Sequence, residues 1–81
     1  MNLCFAIGKI ISEIEFKFII NSKNISIAIF EIELYNKSNI KVKAYNNLAD
    51  YCYSRLNKGD NVLIKGRVNS NIEIEMLEFF I

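Results

Sequence analysis

The sequence predicts an all-β domain, folded as a small closed barrel of five strands with one short helix. Apolar and polar residues alternate with a period of two along much of the chain, which is typical of half-buried strands. The two longest strands, over 3–20 and 25–34, each change the parity of their apolar residues partway along. Such a change predicts a bulge or bend, and strongly bent strands are what a small barrel needs in order to close.

In the first strand, the predicted bend is at Gly8. Leu3, Phe5 and Ile7 hold one parity, and Ile10, Ile14, Phe16, Phe18 and Ile20 hold the other. The second strand changes parity between Ile29 and Phe30. A glycine inside a strand marks a bulge or a close approach of two backbones, so we expect both strands to serve two surfaces of one barrel.

The remaining strands each place one apolar face toward the core. The third has Ile40, Val42 and Ala44 on one face and Lys41, Lys43 and Tyr45 on the other. The fourth points Val62 and Ile64 inward, and the fifth points Ile72, Ile74 and Met76 inward.

One helix is predicted over 48–57, because Leu48, Cys52 and Leu56 recur at a helical spacing. Asn46 or Asn47 would cap its first turn, and Gly59 would end it in the left-handed conformation. The helix falls between the third and fourth strands. This element order is that of the OB fold, a five-stranded barrel.

Size and composition limit the kinds of protein to consider. At 81 residues the chain is one domain, 1–81, and 52% of its residues are hydrophobic, more than so small a core absorbs. The surplus predicts self-association; the alternative is a dense core with scattered exposed isoleucines. The net charge of +1 does not favour nucleic-acid binding over the whole surface, so any binding must depend on local charge.

Several activities are disfavoured by what the chain contains. It has no His, which excludes the usual Ser-His, Cys-His and His-metal chemistry. Cys4 and Cys52 form neither a disulfide framework nor a metal site, and no cofactor is expected. The carboxylate pairs Glu13/Glu15 and Glu73/Glu75 are typical of a solvated strand face, so no enzyme activity is expected. No signal peptide or membrane span is recognised, which predicts a cytoplasmic protein.

Three segments resemble the bacterial single-stranded DNA-binding proteins. They are Asn2 followed by Gly8-Lys9, then YNNLAD over 45–50, then LNKGDNV over 56–62 followed by Gly66-Arg67. The resemblance implies an OB fold, homo-oligomers built as dimers or tetramers with the first strand in the dimer contact, and replication proteins as partners. It also implies single-stranded DNA bound by base stacking and by Lys/Arg–phosphate contacts.

The resemblance also assigns roles to individual residues. Tyr45 matches a stacking aromatic and Lys41 a frequent basic position, whereas Asn39 stands where many members have a stacking Trp. Together with the charge pattern, it makes Lys9, Lys41, Lys43, Lys65 and Arg67 the candidate phosphate ligands. Tyr45 is the candidate stacking residue and Tyr35 a second one. Phe16 and Phe18 either stack on bases or pack in the core, and core packing is favoured by their parity.

The chain departs from the family in ways that keep an alternative open. The connections after Leu34 and Val68 are short, and the sequence ends at Ile81 without the family's acidic tail. These departures suit either a shallow binding surface or a protein-interaction module of the replication-restart type. Base stacking and phosphate pairing serve RNA as well as DNA, so the sequence does not rank one above the other. Without the resemblance, Lys41 and Lys43 fit an ordinary solvated strand face.

Overall fold

Six strands and one helix follow one another in the computed structural model, which describes residues 3–20 and 24–81. The elements are β1 (Leu3–Ile10), β2 (Glu15–Ile19), β3 (Ile25–Leu34), β4 (Asn39–Tyr45), α1 (Asn47–Arg55), β5 (Asn61–Val68) and β6 (Ile74–Phe80). No helix in these two stretches is long and apolar enough to cross a membrane.

The strands form one sheet that closes on itself. Its order is β1-β5-β6-β4-β3-β2, and an additional antiparallel pairing of β1 with β3 closes a five-stranded barrel. The β2 strand continues the path of β1 along β3, so β1 and β2 together are the predicted first strand. The helix follows β4, the predicted third strand. The predicted all-β OB fold is therefore confirmed.

The bend in the first strand lies after Gly8, at 11–14, where neither β1 nor β2 extends. There the Ser12 hydroxyl oxygen accepts a hydrogen bond of 2.8 Å from the Glu31 backbone N–H. Gly8 has a different role, because a Cβ at this position would lie 2.6 Å from the Glu33 carbonyl oxygen. Gly8 thus permits the close approach of β1 to β3 that closes the barrel.

The parity changes do not mark bends, and this part of the sequence prediction is wrong. In β1 the inward side chains are those of even number throughout, ending at the fully buried Ile10, while Phe5 and Ile7 are 63% and 70% exposed. In β3 the even-numbered residues from Ser26 to Ile32 are likewise buried along the whole strand. The apolar residues of opposite parity therefore make the outer surface of these strands apolar.

The barrel interior is filled by side chains from β1, β3, β4, β5 and β6 and by one face of α1, and the partly buried Phe16 of β2 packs against them. The fully buried members with the largest side chains are Phe30, Ile10, Ile32, Ile64, Val42 and Cys52. Cys52 lies on the helix, with its sulfur 3.5 Å from the Met76 sulfur. Burial raises the pKa of the Cys52 thiol to about 12, so this side chain stays protonated and packs as a small apolar group.

The helix ends differ from those predicted. Asn46 precedes the first helical residue with φ 56° and makes no side-chain capping bond; its backbone N–H donates to the Ser26 carbonyl over 2.8 Å instead. The helix ends at Arg55, and Leu56 is already extended. Gly59 is left-handed as predicted, with φ 98°, but it lies in the following turn, where its N–H donates to the Ile10 carbonyl over 2.7 Å.

The turn between β5 and β6 holds a β-branched residue in an unfavourable conformation. Ile72, predicted to lie inward on the last strand, precedes β6 with φ 57° and is 73% exposed. Its side chain gains little from burial, and an L-residue with a Cβ is disfavoured in the left-handed region.

We expect Ile72→Asn to raise the free energy of unfolding by about 1 kcal/mol, since Asn tolerates the left-handed region. Urea unfolding followed by circular dichroism measures this change. Ile72→Ala is the matched control, because it removes the exposed apolar side chain and keeps a Cβ without the tolerance of Asn. Equal stability of the two variants would show that φ at residue 72 carries no strain.

Candidate nucleic-acid interface

The predicted basic face of β4 is present on the outside of the barrel. Val42 and Ala44 are fully buried, and because side chains alternate along a strand, Lys41, Lys43 and Tyr45 point outward together. Lys41 is exposed, whereas Lys43 and Tyr45 are half-buried. The strand thus offers an aromatic ring and two ammonium groups along one line.

Tyr45 lies at the end of a short row that crosses three strands. Its register partner on β3 is Ile27, and the partner of Ile27 on β2 is Lys17. The Lys17 ammonium group lies 3.0 Å from the Glu15 carboxylate, with both side chains more than half exposed. Exposed ion pairs of this kind contribute little, so Lys17 remains free to exchange its carboxylate for a phosphate near Tyr45. The position of Lys17 near Tyr45 follows only from the strand register, and its own sequence context does not predict it.

Lys43, in contrast, is held by a carboxylate. Its ammonium nitrogen lies 3.1 Å from Glu73 Oε1, and the side chains are only 27% and 14% exposed. Asn69 donates a second hydrogen bond of 3.1 Å to the same oxygen. The Asn69 bond, the Lys43 bond and the positive charges of Lys43 and Lys41 keep the pKa of Glu73 below its usual range, so the Glu73 carboxylate is ionised at neutral pH.

Lys65 and Arg67 lie on a different part of the surface from the β4 lysines. Arg67 on β5 pairs with Glu75 on β6, and Glu75 pairs in turn with Lys43. Lys65 similarly lies between Phe5 of β1 and Glu78 of β6. The carboxylates of β6 therefore separate the predicted basic residues into two groups, and Lys65 and Arg67 border the apolar surface of β1.

Lys9 and Tyr35 lie together at another place on the barrel surface. They line a surface groove of about 620 Å³, together with Ile7, Gly8, Glu33, Leu34, Lys37 and Asn61. Tyr35 is 99% exposed in the turn between β3 and β4. Lys37 was not among the basic residues predicted from the sequence to bind phosphates. Its ammonium nitrogen lies 3.9 Å from Glu33 Oε1. This groove combines an exposed ring with two lysines but stands apart from Tyr45, at the opposite end of β4.

The two phenylalanines of β2 have different surroundings. Phe16 packs against Tyr53 of α1, with ring centroids 5.1 Å apart, in line with the favoured core interpretation. Phe18 is 58% exposed, so the core packing that its parity favoured is wrong for this residue. The β2 strand thus contributes one aromatic side chain to packing and leaves the other on the surface.

The acidic residues near the bend do not make a metal site. Glu13, Glu15 and Glu31 line a groove of about 570 Å³ together with Ser12, Lys17, Ile29, Phe30 and Lys41. Within 3–20 and 24–81, no three acidic, Cys or His side chains are arranged to hold a metal ion. The groove alternates in charge, and an anionic chain can approach it only along its Lys17 and Lys41 sides.

A five-stranded barrel with one helix between its third and fourth strands defines an OB-fold protein. The structure is similar to the SSB domain of a Synechococcus protein, with a TM-score of 0.87 and 17% identity over 100% of this chain and 96% of the other. It is also similar to the single-stranded DNA binding protein of Thermus aquaticus, with a TM-score of 0.83 and 20% identity. That similarity covers 99% of this chain and 39% of the longer Thermus chain.

A third similar structure is the second single-stranded DNA binding protein of Mycobacterium smegmatis, with a TM-score of 0.77 and 20% identity over 98% of this chain and 86% of the other. No family model and no curated protein matches the sequence. At these identities the similarities establish the fold. The resemblance noted in the sequence is thus confirmed in three dimensions.

Proposed function

We propose that the protein binds single-stranded DNA without sequence preference, as an oligomer, in replication, repair or recombination in the cytoplasm. The observation that carries this proposal is the outer face of β4, where Tyr45 lies in line with Lys41 and Lys43. The names of the Thermus and Mycobacterium proteins support DNA as the ligand. The role is binding rather than catalysis.

In this proposal a base stacks on Tyr45 while Lys41 and Lys17 contact the flanking phosphates. One stacked base contributes about 1–3 kcal/mol, and its contribution is independent of sequence because every base has an aromatic face. Phosphate contacts add a term that weakens as salt rises. Since several lysines already have carboxylate partners, one protomer binds weakly and tight binding requires several protomers on one strand.

The proposed oligomer forms through β1. This strand pairs with β5 along most of its length but with β3 only from Gly8 onward, so the other edge of its first half has no partner strand in the described structure. The adjoining outer surface is apolar, with Phe5, Ile7 and Phe80 between 48% and 70% exposed. A second copy that presents the same strand would cover this surface symmetrically, as a dimer or as half of a tetramer.

Tyr45→Ala is expected to weaken oligo(dT) binding by a factor of about 5 to 150, which is the stacking energy converted to affinity. Fluorescence anisotropy of labelled oligo(dT) at low salt measures it. Tyr45→Phe keeps the ring and should bind like the unchanged protein. Tyr53→Ala, on the helix and 58% exposed, is the control outside the site. The absence of binding at high micromolar protein, or equal losses in both alanine variants, would contradict the proposal.

A protein-interaction role is the second candidate, because β2 also exposes apolar side chains. Phe18 and Ile19 are 58% and 40% exposed on the strand that ends the sheet, and Ile20, just after it, is 81% exposed. A replication protein that covers this edge would use the barrel as an adaptor. Co-purification with such a protein, in a chain that fails to bind oligo(dT), would favour this role over DNA binding.

A further inference from the structure

Lys43 is the candidate phosphate ligand least free to bind a phosphate. Its ammonium group lies 3.1 Å from the Glu73 carboxylate, and at 27% exposure its side chain is partly withdrawn from water. Lys41, two residues away on the same face, is exposed, and although Glu31 is its register partner on β3, it takes part in no ion pair within the described residues. The two lysines are therefore equivalent in the sequence and different in the structure.

The β5–β6 turn fixes Glu73 in its position beside Lys43. Asn69 Oδ1 accepts hydrogen bonds from the backbone N–H groups of Asn71 and Glu73, at 2.9 and 3.0 Å. The amide nitrogen of Asn69 donates to Glu73 Oε1 over 3.1 Å and to Glu75 Oε2 over 3.3 Å. Because Glu73 is hydrogen-bonded through both its backbone and its side chain, its carboxylate cannot move away from Lys43 without breaking this network.

A phosphate and the Glu73 carboxylate require the same donors. Both are anions that accept hydrogen bonds from an ammonium group, so a phosphate on Lys43 must either displace Glu73 or lie next to its negative charge. Glu75, the register partner of Lys43, adds a second negative charge on the same side. Unlike a mobile counterion, this carboxylate is covalently part of the protein and is present at every salt concentration.

We propose that Glu73 is an affinity-setting residue, which occupies Lys43 in place of a phosphate and so limits the phosphate contribution to DNA binding. The inference rests on the proposed function and deepens it. As a consequence, the bound DNA strand is held more by base stacking on Tyr45 than by phosphate contacts. The affinity of the unchanged protein for DNA therefore depends less on salt than its number of basic residues suggests.

The test compares the unchanged protein with Glu73→Gln, Asp50→Asn, Lys43→Gln, Lys41→Gln and the double variant Glu73→Gln/Lys43→Gln. Gln at 73 keeps a hydrogen-bond acceptor for Asn69 and removes the charge. Asp50→Asn removes the same charge from an exposed carboxylate on α1, outside the proposed interface, that takes part in no ion pair within 3–20 and 24–81. Each protein is titrated with oligo(dT) at four or more salt concentrations, and thermal unfolding confirms that each is folded.

Glu73→Gln is expected to bind about fivefold more tightly at low salt and to steepen the salt dependence by about 0.7 in log–log slope, as one added phosphate contact does for a single strand. Asp50→Asn should change the affinity less and leave the slope unchanged. Adding Lys43→Gln should abolish the gain, which a double-mutant cycle shows as coupling between the two positions. In the unchanged background, Lys41→Gln should weaken binding more than Lys43→Gln.

Three results would overturn the inference: equal gains from Glu73→Gln and Asp50→Asn, a gain that persists without Lys43, or a larger loss from Lys43→Gln than from Lys41→Gln. The last comparison needs no change at Glu73, so it decides the matter even where Glu73→Gln does not fold. Failure of the proposed function is distinguishable, because in that case the unchanged protein does not bind oligo(dT) at any salt concentration.

Discussion

Replacing both Phe5 and Ile7 by threonine is expected to split the oligomer and to weaken oligo(dT) binding by a factor of about 100 or more, the size of effect that multivalency supplies. These side chains are 63% and 70% exposed on β1, so their loss costs the isolated barrel little. In the proposed dimer they are covered by a second copy, and their loss removes most of the apolar area that holds the copies together. Threonine keeps the strand propensity and adds no charge.

Light scattering during the same titration reports mass and binding together. The matched control is Phe18→Thr with Ile20→Thr, which removes exposed apolar side chains from the β2 side of the barrel. This control should keep the oligomeric state of the unchanged protein. If the β1 variant remains oligomeric, the interface lies elsewhere; if it is monomeric and binds as tightly as the unchanged protein, binding does not depend on assembly.

Local patterns were sufficient to predict most of the barrel and one face of the site. The alternation from Ile40 to Tyr45 places Lys41, Lys43 and Tyr45 on the outer face, because a strand has only two faces. The apolar stripe predicted for the helix correctly places Cys52 in the core and also Leu56, which follows the helix, although it misses the fully buried Ala49. These features depend on residues near one another in the chain, which is why they can be read from the sequence.

The same local reasoning failed where both faces of a strand are apolar. Leu3, Phe5 and Ile7 suggested an inward face, and the inward side chains of β1 are instead the small ones, such as Cys4 and Ala6. Small inward residues suit a strand that crosses close to its neighbour, as Gly8 does over Glu33. Parity alone cannot distinguish a bend from an apolar outer surface, since both place apolar residues on alternate faces.

Which basic residues of the site lie beside carboxylates could not be predicted from the sequence, for a different reason. Lys43 and Glu73 are 30 residues apart in sequence, and they meet because β4 and β6 are parallel neighbours. The position of Arg67 opposite Glu75 in the sheet likewise depends on the register of β5 with β6. Registers between distant strands follow from closure of the whole barrel, so the sequence alone shows lysines without showing which of them are neutralised.

Phe30→Ala is expected to lower the free energy of unfolding by about 3–5 kcal/mol, the usual cost of removing a large side chain from a core. Phe30 is 1% exposed and is the largest of the fully buried side chains. It lies at the centre of β3, whose partners include β1, β2 and β4. The cavity would lie in the barrel interior, and the strands around it cannot move inward to fill it without losing the registers that close the barrel.

Urea unfolding at a fixed protein concentration measures this cost, since assembly contributes to the apparent stability. Phe18→Ala is the matched control, because it removes the same atoms from a side chain that is 58% exposed, and its cost should be about 1 kcal/mol or less. A domain of this length has a stability of about 4–12 kcal/mol, so Phe30→Ala removes a large fraction of it. Similar costs for the two variants would mean that the barrel interior is not packed around Phe30, and the outward face of β4 would then lack the rigid support that the binding proposal requires.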